Sequence, residues 1–326
     1  MSGFSSFKLT EPGATLIRDP SVREYLKTYG LPIPPNVRYG HVRFESPQDQ
    51  YRVALFGQAW VPEHSLGTVF VIHGFSEHTG NFGNLIQNFT DSRLAVAAID
   101  LRGHGLSEGP RGHTDAPECY AEDIEKFAQI VAPALNPTCP FFLFGHSLGG
   151  LIALQLMLRN RLPLPVSASV VMSPLLGLPE LGGIQKLLAR LSPAVEKIFP
   201  TLAFPHNISD ESLSHDTAYL SQRARDPLIG TKASARWFRS INLLMNEVHH
   251  KAGEFHNLAP TFLMLAGDER VTNLNESRRF AFNALTDQKH KIIEFPGCFH
   301  ELEKEPAIRG RVVSEAIAWF TSHVNR

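Results

Sequence analysis

One five-residue pattern, Gly145-His146-Ser147-Leu148-Gly149, constrains the fold of this chain more than any other feature of its sequence. Four apolar residues, 141–144, run directly into the pattern, and an apolar segment, 148–158, follows it. A Gly-x-Ser-x-Gly pattern between a strand and a helix indicates a sharp turn that exposes the serine, and its glycines let neighbouring segments come close. The alternative is an ordinary strand-to-helix turn capped by Ser147. The flanking segments favour the first interpretation, with Ser147 as candidate nucleophile.

The chain on both sides of this pattern alternates between short apolar strands and helical segments. The predicted strands are 37–44 and 51–60, which form a hairpin, then 69–72, 94–99, 141–144, 168–172, 261–265 and 291–295, and the predicted helices are 81–89, 117–131, 148–158, 275–285 and 307–323. Strands that are apolar on both faces and separated by helices are typical of a parallel sheet covered by helices on both sides. We therefore predict an α/β fold with a mostly parallel central sheet.

The alternation is interrupted between residues 173 and 255, where the sequence offers helical pieces and no convincing buried strand. An interruption of roughly eighty residues is well above the usual length of a connection. We predict a core of residues 37–172 and 256–326, a helical cap over 173–255 and an N-terminal lead-in over 1–36. Such an insertion covers the strand ends where open α/β sheets bind their ligands.

The composition excludes several classes of protein. Lys and Arg total 31 against 32 Asp and Glu among 326 residues, so no basic excess is available to bind nucleic acid. Three widely spaced cysteines exclude a disulfide framework and favour a reducing compartment. Residues 1–13 lack the apolar run of a signal peptide. The apolar stretch 140–158 is interrupted by His146 and the glycines, which argues against a membrane span. We therefore expect a cytoplasmic protein.

The position of His300 makes it the candidate general base. A serine hydroxyl needs a base at neutral pH, and in folds with this serine turn an acid and then a histidine follow the serine along the chain. His300 follows the predicted strand 291–295 and a short loop, which places it at the carboxyl end of a strand. His290 precedes that strand, and His323 lies at the C-terminus. The acid is predicted after strand 261–265.

Backbone N–H groups are predicted to stabilise the negative oxygen that forms when a serine attacks a carbonyl group. The amide of Leu148, next to the nucleophile, is one candidate donor. The loop 73–78 follows the strand 69–72, and its Phe75 amide is the second candidate. His73 and His78 in this loop could be read as metal ligands, but a third ligand at a sensible spacing is lacking. We therefore predict no metal site.

Several segments of the sequence together resemble the monoacylglycerol lipase and lysophospholipase family of α/β-hydrolases. They are HGFSEHTGNF (73–82), DLRGHGLSEGPRG (100–112), GHSLGG (145–150), PGCFHELEKEP (296–306) and, in the insertion, SHDTAYLSQRARDPLIG (214–230). The resemblance runs from about residue 37 to 320. It implies the α/β-hydrolase fold, a mobile apolar cap over a cavity sized for an acyl chain, and hydrolysis of glycerol or phospholipid monoesters without a cofactor.

The sequence departs from the family at the acid. Family members commonly read Gly-x-x-Asp-Arg or Ala-Gly-Glu-Asp here, whereas this chain reads Ala266-Gly267-Asp268-Glu269-Arg270. Alignment on the arginine gives Glu269 the place of the acid, and a shift of one residue gives it to Asp268. Counting along the chain does not choose between the two carboxylates. We favour Glu269 and keep Asp268 as the alternative.

The expected activity is hydrolysis of a monoacylglycerol to glycerol and a fatty acid through an acyl-enzyme. A lysophospholipase or a general carboxylesterase is the alternative, and a non-catalytic binding protein with this fold is a further one. Epoxide or haloalkane hydrolysis would need a carboxylate where Ser147 stands. The sequence does not determine the oligomeric state.

The insertion carries one apolar stripe, formed by Ile184, Leu187, Leu188 and Leu191. The stripe could line an acyl tunnel or make transient contact with a membrane surface. Packing within the cap explains the same spacing equally well.

Overall fold

An eight-stranded sheet forms the centre of the computed structural model, which describes residues 7–12, 17–47, 52–179, 199–206 and 208–324. The strands in chain order are β1 (Val37–Glu45), β2 (Ala54–Pro62), β3 (Gly67–Ile72), β4 (Leu94–Asp100), β5 (Phe141–His146), β6 (Val166–Met172), β7 (Ala203–Pro205), β8 (Lys232–Ser234), β9 (Thr261–Ala266) and β10 (Lys291–Phe295). The central sheet has the order β1-β2-β4-β3-β5-β6-β9-β10, and β7 pairs only with β8.

Most neighbouring strands of the central sheet are parallel. Only the pairs β1–β2 and β2–β4 are antiparallel, so the first two strands form the predicted hairpin at one edge. Strands β3 and β5 are buried along their whole length. Strands covered on both faces read as continuous apolar runs, which is why the sequence revealed them.

Helices cover both faces of the sheet. They are α1 (Pro20–Thr28), α2 (Gly83–Asp91), α3 (Cys119–Val131), α4 (Leu148–Arg159), α5 (Thr217–Arg223), α6 (Ala235–His250), α7 (Leu274–Ala284) and α8 (Arg309–Thr321). One apolar cluster joins α1, α2 and α8 to side chains such as Val69 and Val71 of β3. The other joins α3, α4, α6 and α7 to Phe70 and Ile72 of the same strand. The predicted two-sided α/β fold is confirmed.

The stretch 140–158, considered as a membrane span, is divided between β5, the turn at Ser147 and α4. In the described part of the chain, no helix combines the length and the apolar character needed to cross a membrane. The predicted helix 81–89 also divides, into a single 3₁₀ turn, Thr79–Phe82, and α2.

The insertion contains more than helices. Its residues 203–205 pair antiparallel with 232–234, and Ala233 and Ser234 are fully buried. The expectation of no buried strand is wrong here, because strands of three residues are too short to show a periodic pattern. Helices α5 and α6 supply the helical part. The apolar stripe 184–191 lies outside the described residues, and the predicted cap boundaries remain a prediction.

Candidate active site

Ser147 occupies a strained turn between β5 and α4. Its backbone has φ 53° and ψ −116°, in the region that residues with a side chain seldom adopt. The Ser147 amide donates to the Met172 carbonyl at 2.9 Å, which fastens the turn to the end of β6. This is the strand–turn–helix arrangement that the sequence predicts.

Two glycines of the pattern allow the turn to pack closely. A Cβ added to Gly149 would lie 2.1 Å from the carbonyl oxygen of Ile72, and one added to Gly145 would lie 2.3 Å from that of Gly149. Backbone atoms cannot withdraw from such contacts, so any side chain at either position would displace the chain. The first turn of α4 therefore packs directly on the end of β3, where the loop with Phe75 begins.

His300 is hydrogen-bonded to Glu269. Its Nδ1 lies 2.7 Å from Oε2 of the carboxylate, and the two side chains are only 3% and 2% exposed. The other oxygen of Glu269 accepts from the amides of Val271 at 2.7 Å and Thr272 at 3.1 Å. With both oxygens engaged, the carboxylate is held in one orientation against the imidazole.

Asp268, the alternative acid, points away from this pair. Its side chain is 46% exposed and contacts Arg270 at 2.6 Å. The structure thus brings Glu269, and not Asp268, against His300. Burial raises the pKa of Glu269, but the nearby His300 and the two amides lower it more, and the net pKa lies below the ordinary value. The carboxylate is therefore ionised at neutral pH.

The two candidate oxyanion donors belong to segments that lie next to the serine. Leu148 begins α4, so its N–H is one of the amides that a helix leaves without an internal partner. The Cβ position of Gly74, the residue before Phe75, is 3.1 Å from Cβ of Ser147. Among the described residues, neither the Phe75 nor the Leu148 amide donates a backbone hydrogen bond. Both amides remain available to a substrate oxygen.

His300 lies beside the serine turn. Its ring centroid is 4.9 Å from that of His146, the residue before the nucleophile. Within the described residues, no hydrogen bond joins Ser147 Oγ to the imidazole. Such bonds are commonly long before substrate binds.

Elements of the insertion cover the loop 73–78, which carries the Phe75 amide. The ring of Phe75 packs against Trp237 of α6 at 4.3 Å between centroids and against His206 at 5.5 Å. Arg223 of α5 donates to the carbonyl of Ser76 at 2.9 Å. The residues around the candidate serine are thus enclosed by side chains that the core alone does not supply.

Glu77 and His146 form a buried ion pair at the site that the sequence does not predict. Glu77 Oε2 lies 2.9 Å from Nδ1 of His146, and both side chains are almost completely buried. Burial lowers the pKa of His146, but the charges of Glu77 and Glu303 raise it to about 10. The motif HGFSEH contains Glu77 and GHSLG contains His146, yet their separation of 69 residues concealed the contact.

One group of described residues has ligand atoms close enough for a metal ion. Glu77, His146 and Glu303 have ligand atoms that all lie within 4.8 Å of one another. His146 Nδ1 is bonded to Glu77 Oε2, whereas His146 Nε2, Glu77 Oε1 and both oxygens of Glu303 are buried without a hydrogen-bond partner among the described residues.

His73 and His78, the two histidines weighed as metal ligands from the sequence, make hydrogen bonds to other protein groups. His73 contacts the Leu101 amide and the Gly74 carbonyl, and His78 contacts Tyr25 and Asp226.

A parallel sheet with a strained serine at the end of a central strand, and a histidine–carboxylate pair on later loops, defines an α/β-hydrolase. The profile of the family described as serine aminopeptidase, S33 matches residues 63–307. The chain belongs to this family and is a serine hydrolase.

Known proteins support this assignment and the resemblance to monoacylglycerol lipases. The chain is 27% identical over 83% of its length to a monoacylglycerol lipase of Mycolicibacterium smegmatis and covers 94% of that protein. It is 26% identical over 76% of its length to the phospholipase YtpA of Bacillus subtilis and covers 92% of that protein. It spans only 28% of an uncharacterized abhydrolase domain-containing protein of Dictyostelium discoideum, at 27% identity over 82% of this chain. The crystal structure of Paleococcus ferrophilus monoacylglycerol lipase superposes with a TM-score of 0.72 at 26% identity, over 82% of this chain and 99% of that one.

Proposed function

We propose that this protein hydrolyses carboxylic esters of lipids, with monoacylglycerols as its main substrates. Ser147 is the nucleophile, His300 the general base, and Glu269 the acid that orients His300 and stabilises its charged form. The observation that carries the proposal is the buried His300–Glu269 pair beside a serine in a strained turn. The monoacylglycerol lipases among the similar proteins support the substrate class.

The first half of the reaction transfers the acyl group to the enzyme. His300 accepts the proton of Ser147 as Oγ attacks the ester carbonyl carbon. The amides of Phe75 and Leu148 donate to the oxygen as it becomes negative. His300 then gives its proton to the leaving glycerol oxygen, and the acyl group stays on Ser147.

The second half releases the fatty acid. The same imidazole takes a proton from a water molecule, whose oxygen attacks the acyl carbon, and then returns that proton to Ser147 Oγ. One water is consumed for each ester cleaved. Protein groups supply each proton transfer, so the mechanism calls for no cofactor.

A lysophospholipase is the second candidate, because a phospholipase is among the similar proteins. Both substrates present one acyl chain and one ester to the serine, and they differ in the head group.

The insertion is the surface through which transient contact with a lipid surface would occur. Phe199, Leu202 and Phe204 are 60%, 45% and 41% exposed there. Large exposed apolar side chains that lie close together in the chain support such a contact.

Hydrolysis of monoacylglycerols of increasing chain length, beside matched lysophosphatidylcholines, tests the proposal. We expect higher kcat/KM for the glycerol esters and no turnover by Ser147→Ala. Preference for the charged lipids would make the protein a lysophospholipase, and preference for short soluble esters a carboxylesterase. Turnover that survives Ser147→Ala would refute the assignment of the nucleophile.

A further inference from the structure

One carboxylate oxygen connects the two segments that carry the oxyanion donors. Oε2 of Glu77 accepts from the Gly74 amide at 2.7 Å and lies 2.9 Å from Nδ1 of His146. Gly74 immediately precedes Phe75, and His146 immediately precedes Ser147. The loop after β3 and the end of β5 are therefore joined by a single side chain.

The contact geometry around Gly74 is tight. A Cβ at this residue would lie 2.6 Å from Glu77 Oε2, 3.1 Å from Ser147 Cβ and 3.2 Å from His146 Nδ1. The loop, the ion pair and the nucleophile thus meet at one point. A shift of the Glu77 carboxylate would move the Gly74 amide and, with it, the next amide along the chain.

The electrostatics keep this pair charged. Burial raises the pKa of Glu77, but the positive charge of His146 and its hydrogen bond lower it well below the ordinary value. The carboxylates of Glu303 and Glu301 also favour the charged form of His146. Breaking a buried ion pair is destabilising, but replacing the whole pair by apolar side chains of similar volume is often neutral or stabilising, so stability alone does not require such a pair. Its presence here calls for another explanation.

We propose that Glu77 and His146 are positioning residues that fix the distance between the Phe75 and Leu148 amides. This inference rests on the proposed function. Oxyanion donors act only when they are aimed in advance at the oxygen that becomes negative. A misplacement of about 1 Å can cost on the order of 100-fold in rate. The ion pair touches no substrate atom and acts through the two amides.

The test compares turnover with binding of a transition-state analogue. Glu77→Gln keeps the shape of the side chain and leaves an amide oxygen that can still accept from Gly74, but it removes the negative charge that holds the positively charged His146. We expect kcat to fall about 10- to 100-fold with KM changed less than about threefold. Ser147 adds to the carbonyl carbon of an alkyl trifluoromethyl ketone, and the carbonyl oxygen becomes negative as in the transition state. The affinity for this ketone should therefore fall by the same factor as kcat/KM.

A second pair of variants addresses the histidine. His146→Asn can place an amide nitrogen where Nδ1 stands, whereas His146→Leu cannot donate. We expect His146→Asn to retain more kcat and more affinity for the ketone than His146→Leu. If Glu77→Gln does not fold, the comparison of the two histidine variants alone tests the proposal. Equal losses in the two histidine variants would overturn the proposal.

A buried ion pair elsewhere provides the matched control. Arg102 and Asp123 form two hydrogen bonds of 2.7 and 2.8 Å on the core side of α3. Asp123→Asn should lower the melting temperature without changing affinity for the ketone per folded molecule. If Glu77→Gln behaves in the same way, the pair is merely structural and the inference fails. Turnover by Ser147→Ala would instead refute the proposed function, so the two failures are distinguishable.

Discussion

At the scale of single residues, two adjacent carboxylates of the loop after β9 differ in what they contact. Asp268 and Glu269 are adjacent, and their side chains point in different directions. The longer side chain reaches His300 at 2.7 Å, while the shorter one contacts Arg270. The sequence could not choose between the two carboxylates, because the choice depends on how the loop after β9 turns.

Replacing each carboxylate by its amide tests this assignment. In Glu269→Gln the amide can no longer hold the imidazole in its catalytic tautomer, so we expect kcat to fall on the order of 10³- to 10⁴-fold. Asp268→Asn is the matched control, and its steady-state kcat should stay within about twofold of wild type. The reverse pattern would assign the acid to Asp268.

The buried Glu77–His146 pair gives the stability a dependence on pH. The pKa of His146 in the folded protein is about 10, above its ordinary value of 6.5, because Glu77 outweighs the effect of burial. The contribution of protonated His146 to the free energy of unfolding is fully present below pH 6.5 and is lost as pH rises through about 10.

Urea unfolding at pH 7 and at pH 10 measures this contribution. The free energy of unfolding should fall more steeply with pH in wild type than in His146→Asn, since the other titrating groups are common to both proteins. Equal pH slopes in the two proteins would contradict the raised pKa.

At the scale of elements, the serine turn depends on a close approach of backbone that only glycine permits. The sequence predicted this turn well, because its strand, its glycines and its helix are adjacent in the chain. The contact between Gly149 and the carbonyl of Ile72 is non-local, and the sequence pattern only implied it.

Gly149→Ala should therefore destabilise the fold and reduce activity. The added Cβ would lie 2.1 Å from a backbone oxygen, and overpacking of this kind costs about 1–3 kcal/mol or more. Gly310→Ala in α8 is the control, because nothing lies within 4 Å of its Cβ position. Alanine there should raise the free energy of unfolding by up to about 1 kcal/mol. Urea titration of both variants measures these opposite changes in the free energy of unfolding. A stable, fully active Gly149→Ala would contradict the close packing of Gly149 on β3.

The N-terminal helix shows what a local pattern cannot reveal. Tyr29 at the end of α1 donates to Asp226 of the insertion at 2.8 Å, and the same carboxylate contacts His78 at 2.9 Å. These residues lie 197 and 148 positions apart from Asp226. The sequence predicts a separate lead-in over residues 1–36, yet α1 is connected to both the core and the insertion.

At the scale of the whole molecule, the fold followed from the alternation of apolar strands and helices. Burial on both faces of the sheet produces continuous apolar strands, so strand positions and the parallel arrangement could be predicted. The short pair β7–β8 could not, because its strands are three residues long and far apart in the chain. Function followed from the order of serine, acid and histidine, while the ion pair beside them depends on the folded arrangement.

The proposal that Ser147 is the nucleophile is tested by reacting the whole chain with a fluorophosphonate and identifying the modified residue by peptide mass spectrometry. Ser76 and Ser173 also have positive φ and lie in buried positions, so they are internal competitors. We predict a stoichiometric adduct on Ser147, formed in wild type and in Ser76→Ala, and strongly slowed in His300→Ala. An adduct on another serine, or an unmodified Ser147 in active protein, would contradict it.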